Sequence, residues 1–132
     1  MSDELNPPAG KVRSWLAAEI APLLPDEWRI VPGISTVKTL LVPAVYFEFT
    51  ELEKVTGLPV GHARAVLDLI VVDPRTDLVA GEDQVDDHLV DLVLALDGHE
   101  QINWTGARKE SIAEQFFGWR VALTILTSIS KE

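Results

Sequence analysis

The sequence has no cysteine, and only 11 of its 132 residues are lysine or arginine. Without thiols there is no disulfide and no zinc site built on thiolates, which fits a reducing compartment. Long apolar runs are missing too, since none approaches the roughly 18 residues a membrane helix requires. The start, Met1-Ser2-Asp3-Glu4, lacks the basic-then-apolar order of a secretion signal. A soluble cytosolic protein without a membrane partner is expected. The scarcity of basic residues leaves 21 acidic ones unmatched, for a formal net charge of −10. Such a surface repels phosphate backbones and anionic membranes, so a nucleic-acid clamp is disfavoured. Its ordinary use is solubility. It would equally suit a conduit through which DNA slides without being gripped.

What is present is a globular mix, 47% hydrophobic and 24% charged, which argues against disorder over most of the chain. At this length one core and one domain are expected. Residues 1–10 carry Pro7, Pro8 and Gly10 and read as a flexible lead, leaving 11–132 as the domain. From Lys11 to Leu24, Val12, Leu16, Ile20 and Leu23 recur at helical spacing, and Pro22 and Pro25 end the helix. Glu27 to Val31 reads as a short strand closed by Pro32-Gly33, and 34–39 as a loop. A long strand is expected from Leu40 to Val55, with Val45, Phe47 and Phe49 on one face and Tyr46, Glu48 and Thr50 on the other. Pro43 suggests an edge or a bulge near its start. The glycines Gly57 and Gly61 permit a turn into an antiparallel partner, Ala63 to Asp73. That strand places Ala65, Leu67, Leu69 and Val71 on one face, with Val66, Ile70 and Val72 on the other. Two apolar faces suggest a central strand covered on both sides.

After a turn at Asp73-Pro74-Arg75-Thr76-Asp77, a second helix is expected from about Glu82 to Leu96, with an acidic first turn and Gly98 as its stop. Val85, Leu89, Leu92, Val93 and Leu96 form its apolar stripe, while Val90 and Leu94 fall outside it. Two further strands, Ile102 to Ile112 and Phe116 to Ile129, complete a hairpin. The order α-β-β-β-α-β-β predicts an α+β fold, a mostly antiparallel sheet of four to five strands with two helices packed on it.

No motif for chemistry stands out. His88 adjoins Asp87 and Asp91, but it projects about 100° from Asp87 on a helix, so a solvated acidic face accounts for all three. His62 and His99 fall in loops with no partner suggested by spacing. The nucleophile elbow, the phosphate loop and the dinucleotide fingerprint are all missing. Carboxylate pairs such as Glu51 with Glu53, or Asp86 with Asp87, are expected by chance at this charge. The Arg108-Lys109 cluster meets Glu110 directly and reads as solvated. No catalytic, cofactor or metal site is therefore expected. Asp68 interrupts an apolar strand, and a buried lone carboxylate is costly. Its expected partner is Arg120 on the last strand, with a subunit seam as the alternative.

This order resembles that of the tail-terminator (tail-completion) proteins of long-tailed phages. The resemblance covers nearly the whole chain: a leading helix ending in Leu23-Leu24-Pro25, then Trp28-Arg29-Ile30-Val31-Pro32, the hairpin around Thr56 to His62, an acidic helix, and the closing Gly118-Trp119-Arg120-Val121-Ala122-Leu123. It implies a virion protein without catalytic residues or cofactors, assembled in the host cytoplasm into a hexameric ring. Such a ring caps the head-proximal end of the tail tube, meets the tube protein and the head–tail connector, and lets DNA pass through its bore. Head-to-tail contact in a ring needs two unlike patches. One is expected around Val90 and Leu94, the other on Val66, Ile70 and Val72. A head-completion or tail-tube subunit of the same particle is the nearest alternative, and a small cytosolic ligand-binding or regulatory domain the next.

Overall fold

The computed structural model describes residues 6–33, 42–74, 79–112 and 116–129. Helix α1, Val12–Ile20, sits between 3-10 turns at Ala9–Lys11 and Ala21–Leu23, the second containing Pro22. Val12, Leu16 and Ile20 are its buried side, at the four-residue spacing that places side chains on one stripe. The short β1, Arg29–Ile30, pairs parallel with the start of β2, Ala44–Glu53. β2 forms a hairpin with β3, His62–Asp73, across a loop in which Gly57 (φ 94°) and Gly61 (φ 84°) take the left-handed conformation. That conformation burdens any residue with a Cβ, so glycine is required for the tight reversal.

Helix α2, Val79–Asp97, then crosses to the far edge, where β4, Ile102–Ile112, and β5, Phe116–Ser128, close a second hairpin. β5 inserts between β3 and β4, giving the order β1-β2-β3-β5-β4 with β3 at the centre. The fold is α+β, and all strand pairs but β1–β2 are antiparallel. Both β2 and β4 carry a bulge, and the extra residue is a threonine each time. Thr50 Oγ1 donates to Val66 O at 3.1 Å and Thr105 Oγ1 to Ala122 O at 3.4 Å, so a side chain takes up a carbonyl beside each interrupted ladder.

Strand alternation settles where the core lies. Ala65, Leu67, Leu69 and Val71 face one way with Val45, Phe47, Val121, Leu123 and Ile125, and both helices cover them. From α2 come Val85, Leu89, Leu92 and Leu96; Trp28 joins from the segment before β1. Burying each leucine or isoleucine here contributes about 1.5–3 kcal/mol.

Four expectations change. The central strand is not covered evenly, because both helices lie on one face. On the other face a smaller cluster of Val31, Ala44, Tyr46, Ile70, Val72, Ile112 and Phe116 covers only the end near Asp73. Helix α2 starts at Val79, three residues before the expected Glu82. The bulge in β2 lies at Thr50, not near Pro43. Pro7 and Pro8 are held against β5, where Ser128 N–H donates to Pro7 O at 2.9 Å, and Ala9 is buried. Residues 1–5 of the expected lead, the 34–39 loop and most of the Asp73–Asp77 turn lie outside the described residues.

Candidate functional site

The sheet face that the helices leave open carries a belt of charge built on one side chain. Arg120 of β5 donates from Nε to Glu110 Oε1 on β4 at 2.7 Å, and from Nη1 to Glu48 Oε1 on β2 and Asp68 Oδ2 on β3, both at 2.8 Å. One guanidinium thus joins the four long strands. The register explains why it is needed: Glu48 lies directly opposite Asp68, a repulsive placement, and Arg120 lies diagonal to Asp68 within reach of both. The hydrogen bonds it donates to Glu110, Glu48 and Asp68 hold the Arg120 guanidinium far above its ordinary range, so it is a permanent cation. Tyr46, beside the belt, has its phenol pushed up first by burial and then by the Glu48 charge. With three carboxylates on it, Arg120 is an internal brace, three of its five N–H donors being engaged.

Next to the belt is a shallow depression of about 390 Å³, floored by Gly106 and Ala122 and bordered by Asp68, Thr105 and Arg108. Arg108 faces Arg120 across the ladder and has no ion-pair partner among the described residues.

The helical side has its own anchors. Lys109 binds Glu82 and, at 2.9 Å, Asp86; Trp119 Nε1 donates to the same Asp86 at 2.8 Å, and Trp104 Nε1 to Asp97 at 3.0 Å. These bonds tie one flank of α2 to β4 and β5. Burial would raise Asp86, but the hydrogen bonds from Lys109 and Trp119 prevail and hold its carboxyl below the ordinary range. Its bonds to Glu82 first, and then to Asp86, hold Lys109 above its own. The other flank of α2 meets the segment before β1, where the His88 ring stands edge-on to Trp28 at 5.6 Å. His99 donates to Glu19 of α1 over 2.8 Å, accepts Gln101 N–H on Nδ1, and packs edge-on against Trp15. Since Nδ1 is an acceptor, the proton sits on Nε2.

The candidate residues from sequence divide accordingly. Val90 and Leu94 are 63% and 71% exposed, apart from the core. Val66 is partly exposed on the open face. Ile70 and Val72, expected at a subunit seam, are sealed inside the smaller cluster and offer no surface to a partner. Their burial by Phe116 and Val31 depends on strands far away in sequence. Asp68 and Arg120 meet within the chain. His88, expected on a solvated face, packs against Trp28, while Lys109 is exposed as expected but also bound by Glu82 and Asp86. The sequence reading missed Glu48 and Glu110 as members of the belt, although alternation already put Glu48 on the outward side of its strand. Also missed was a groove of about 400 Å³ between α1 and the β2 edge, lined by Arg13, Ser14, Ala17, Ile30, Val31, Pro32 and Phe47.

Among the described residues no group of three histidine or acidic side chains could hold a metal ion, and no helix is long and apolar enough to cross a membrane. The fold and its surfaces define a two-layer α+β domain with one open, cross-braced sheet face. No protein-family model matches the chain, and no curated protein matches it either.

Proposed function

We propose that this chain is a non-enzymatic structural subunit of a long-tailed phage, a tail terminator that closes into a ring, a hexamer, at the head-proximal end of the tail tube. The observation that carries the reading is the open sheet face. A face that no helix covers, yet braced by four charged side chains, is built to stay rigid while facing solvent or a partner. Its belt holds three carboxylates against one guanidinium, so its net charge is negative, and a wall of that kind lets DNA pass without adhesion. In this reading the tail-tube protein contacts one side of the ring and the head–tail connector the other. No cofactor takes part, and the ring assembles in the host cytoplasm and remains in the virion. A head-completion or tail-tube subunit would share the surface but polymerise differently. The depression beside Arg108 favours the remaining alternative, a small ligand-binding domain.

Native mass spectrometry tests the proposal: a single closed oligomer is expected, which halts tubes when added to polymerising tail-tube protein. Open-ended polymerisation identifies a tube subunit, and a strict monomer with no effect on tube length removes the assembly role. Leu94→Asp leaves the fold intact, because the residue touches no core, and lowers assembly. Unchanged assembly takes Leu94 out of the interface.

A further inference from the structure

Resting on the reading of the chain as a self-assembling subunit, we infer that copies join laterally, with the Val90–Leu94 flank of α2 seated in the groove between α1 and the β2 edge of the next copy.

The two surfaces match in polarity and charge. The α2 spot is apolar at its centre, and Asp83, Asp87 and Asp91 around it are exposed without ion pairs among the described residues. Two such flanks repel each other, so a symmetric α2–α2 contact is disfavoured. The groove supplies what the flank lacks. Its walls are Ala17, Ile30 and Phe47, and its rim carries Arg13, with Lys11 two residues earlier. Both cations are exposed and lack ion pairs among the described residues. In a chain of net charge −10, free basic side chains beside an apolar groove are the complement of an acidic, apolar helix.

Position makes the contact heterologous. Asp86 marks the α2 flank facing β4, and His88 the flank facing Trp28. At about 100° per residue Leu94 lies nearly opposite the centre of the buried stripe of Val85, Leu89, Leu92 and Leu96, with Val90 about 40° from it on the Asp86 side. The spot therefore faces outward from the helical layer, whereas the groove lies between α1 and the β1–β2 edge of the sheet, so the two are separate surfaces of one copy. One copy cannot satisfy itself, and each copy offers both surfaces, so contacts run head to tail and close only if the rotation permits.

The absence of cysteine gives a clean test. Leu94→Cys chains mixed with Ser14→Cys chains should form a disulfide-linked pair under mild oxidation roughly tenfold faster than Leu94→Cys alone, since only the heterologous contact brings the two together. Val60→Cys, on the fully exposed hairpin loop, sets the background rate. Arg13→Glu and Asp87→Lys should each weaken self-association by about tenfold, and the double variant should restore it. Circular dichroism checks that each variant folds. Leu94→Cys linking to itself as fast as to Ser14→Cys overturns the contact, as does a mixed pair no faster than the Val60→Cys control. If the unmodified protein is oligomeric while the pair fails, this contact falls and the assembly reading stands. If it is monomeric, both fall.

Discussion

Replacing Arg120 by methionine keeps the length of the side chain and removes the charge from the belt. The guanidinium is about one-third exposed, as is Glu110; Asp68 is more covered and Glu48 nearly half exposed. Solvent screening therefore cuts each pair well below its buried value. Glu48 is worth about 0.5 kcal/mol, and Asp68 and Glu110 about 1 kcal/mol each. The substitution also strands Glu48 opposite Asp68, adding a like-charge cost of roughly 0.5 kcal/mol. Together the loss is about 3 kcal/mol, or roughly a 10 °C fall in Tm for a domain of this size. Urea and thermal denaturation followed by circular dichroism read it directly. Glu48→Gln should cost stability in the parent but recover part of it in the Arg120→Met background, because there it relieves repulsion. A shift below about 1 kcal/mol, or a second substitution that adds to the damage, would refute the belt as a brace.

Two other perturbations probe the frame. A Cβ at Gly118 would overlap Ile112 Cγ1 and lie 2.7 Å from Val71 O. Isoleucine can rotate but a central-strand carbonyl cannot, so Gly118→Ala should cost about 2–3 kcal/mol, and an unchanged Tm would sink that argument. Asp86, depressed from its ordinary 3.8, contributes stability that is full above that value and is lost as pH falls through its lower folded value. Asp86→Asn should thus cost about 0.5–1 kcal/mol at neutral pH and converge with the parent in acid. Lys109, raised from 10.5, acts in the opposite sense: its contribution is full below that value and fades as pH rises through the higher folded value. A stability gap for Asp86→Asn that persists unchanged to the lowest pH at which both proteins fold contradicts the assignment.

Much of this was written in local pattern. The four-residue spacing of Val12, Leu16 and Ile20, the alternation of Ala65 to Val71, and the glycines at 57 and 61 follow from periods and φ preferences that neighbouring residues decide. The α+β class and the central place of β3 follow from them. The outward position of Val90 and Leu94 is likewise a matter of helical period. The partners of Arg120 are only partly local. Asp68 could be proposed because a carboxylate in an apolar strand needs a cation, but Glu48 and Glu110 are reached through registers set by two bulges. A shift of one residue would turn either of them to the other face.

The tertiary structure alone decided which sheet face the helices cover. Ile70 and Val72 look like the apolar back of a strand awaiting a partner, and the chain's own Val31, Ile112 and Phe116 fill that place. His88 and His99 look solvated until they are laid against Trp28 and α1. Periodicity tells each strand and helix which side is apolar. It carries no information about which distant element arrives to cover it, because that choice belongs to packing between segments far apart in sequence.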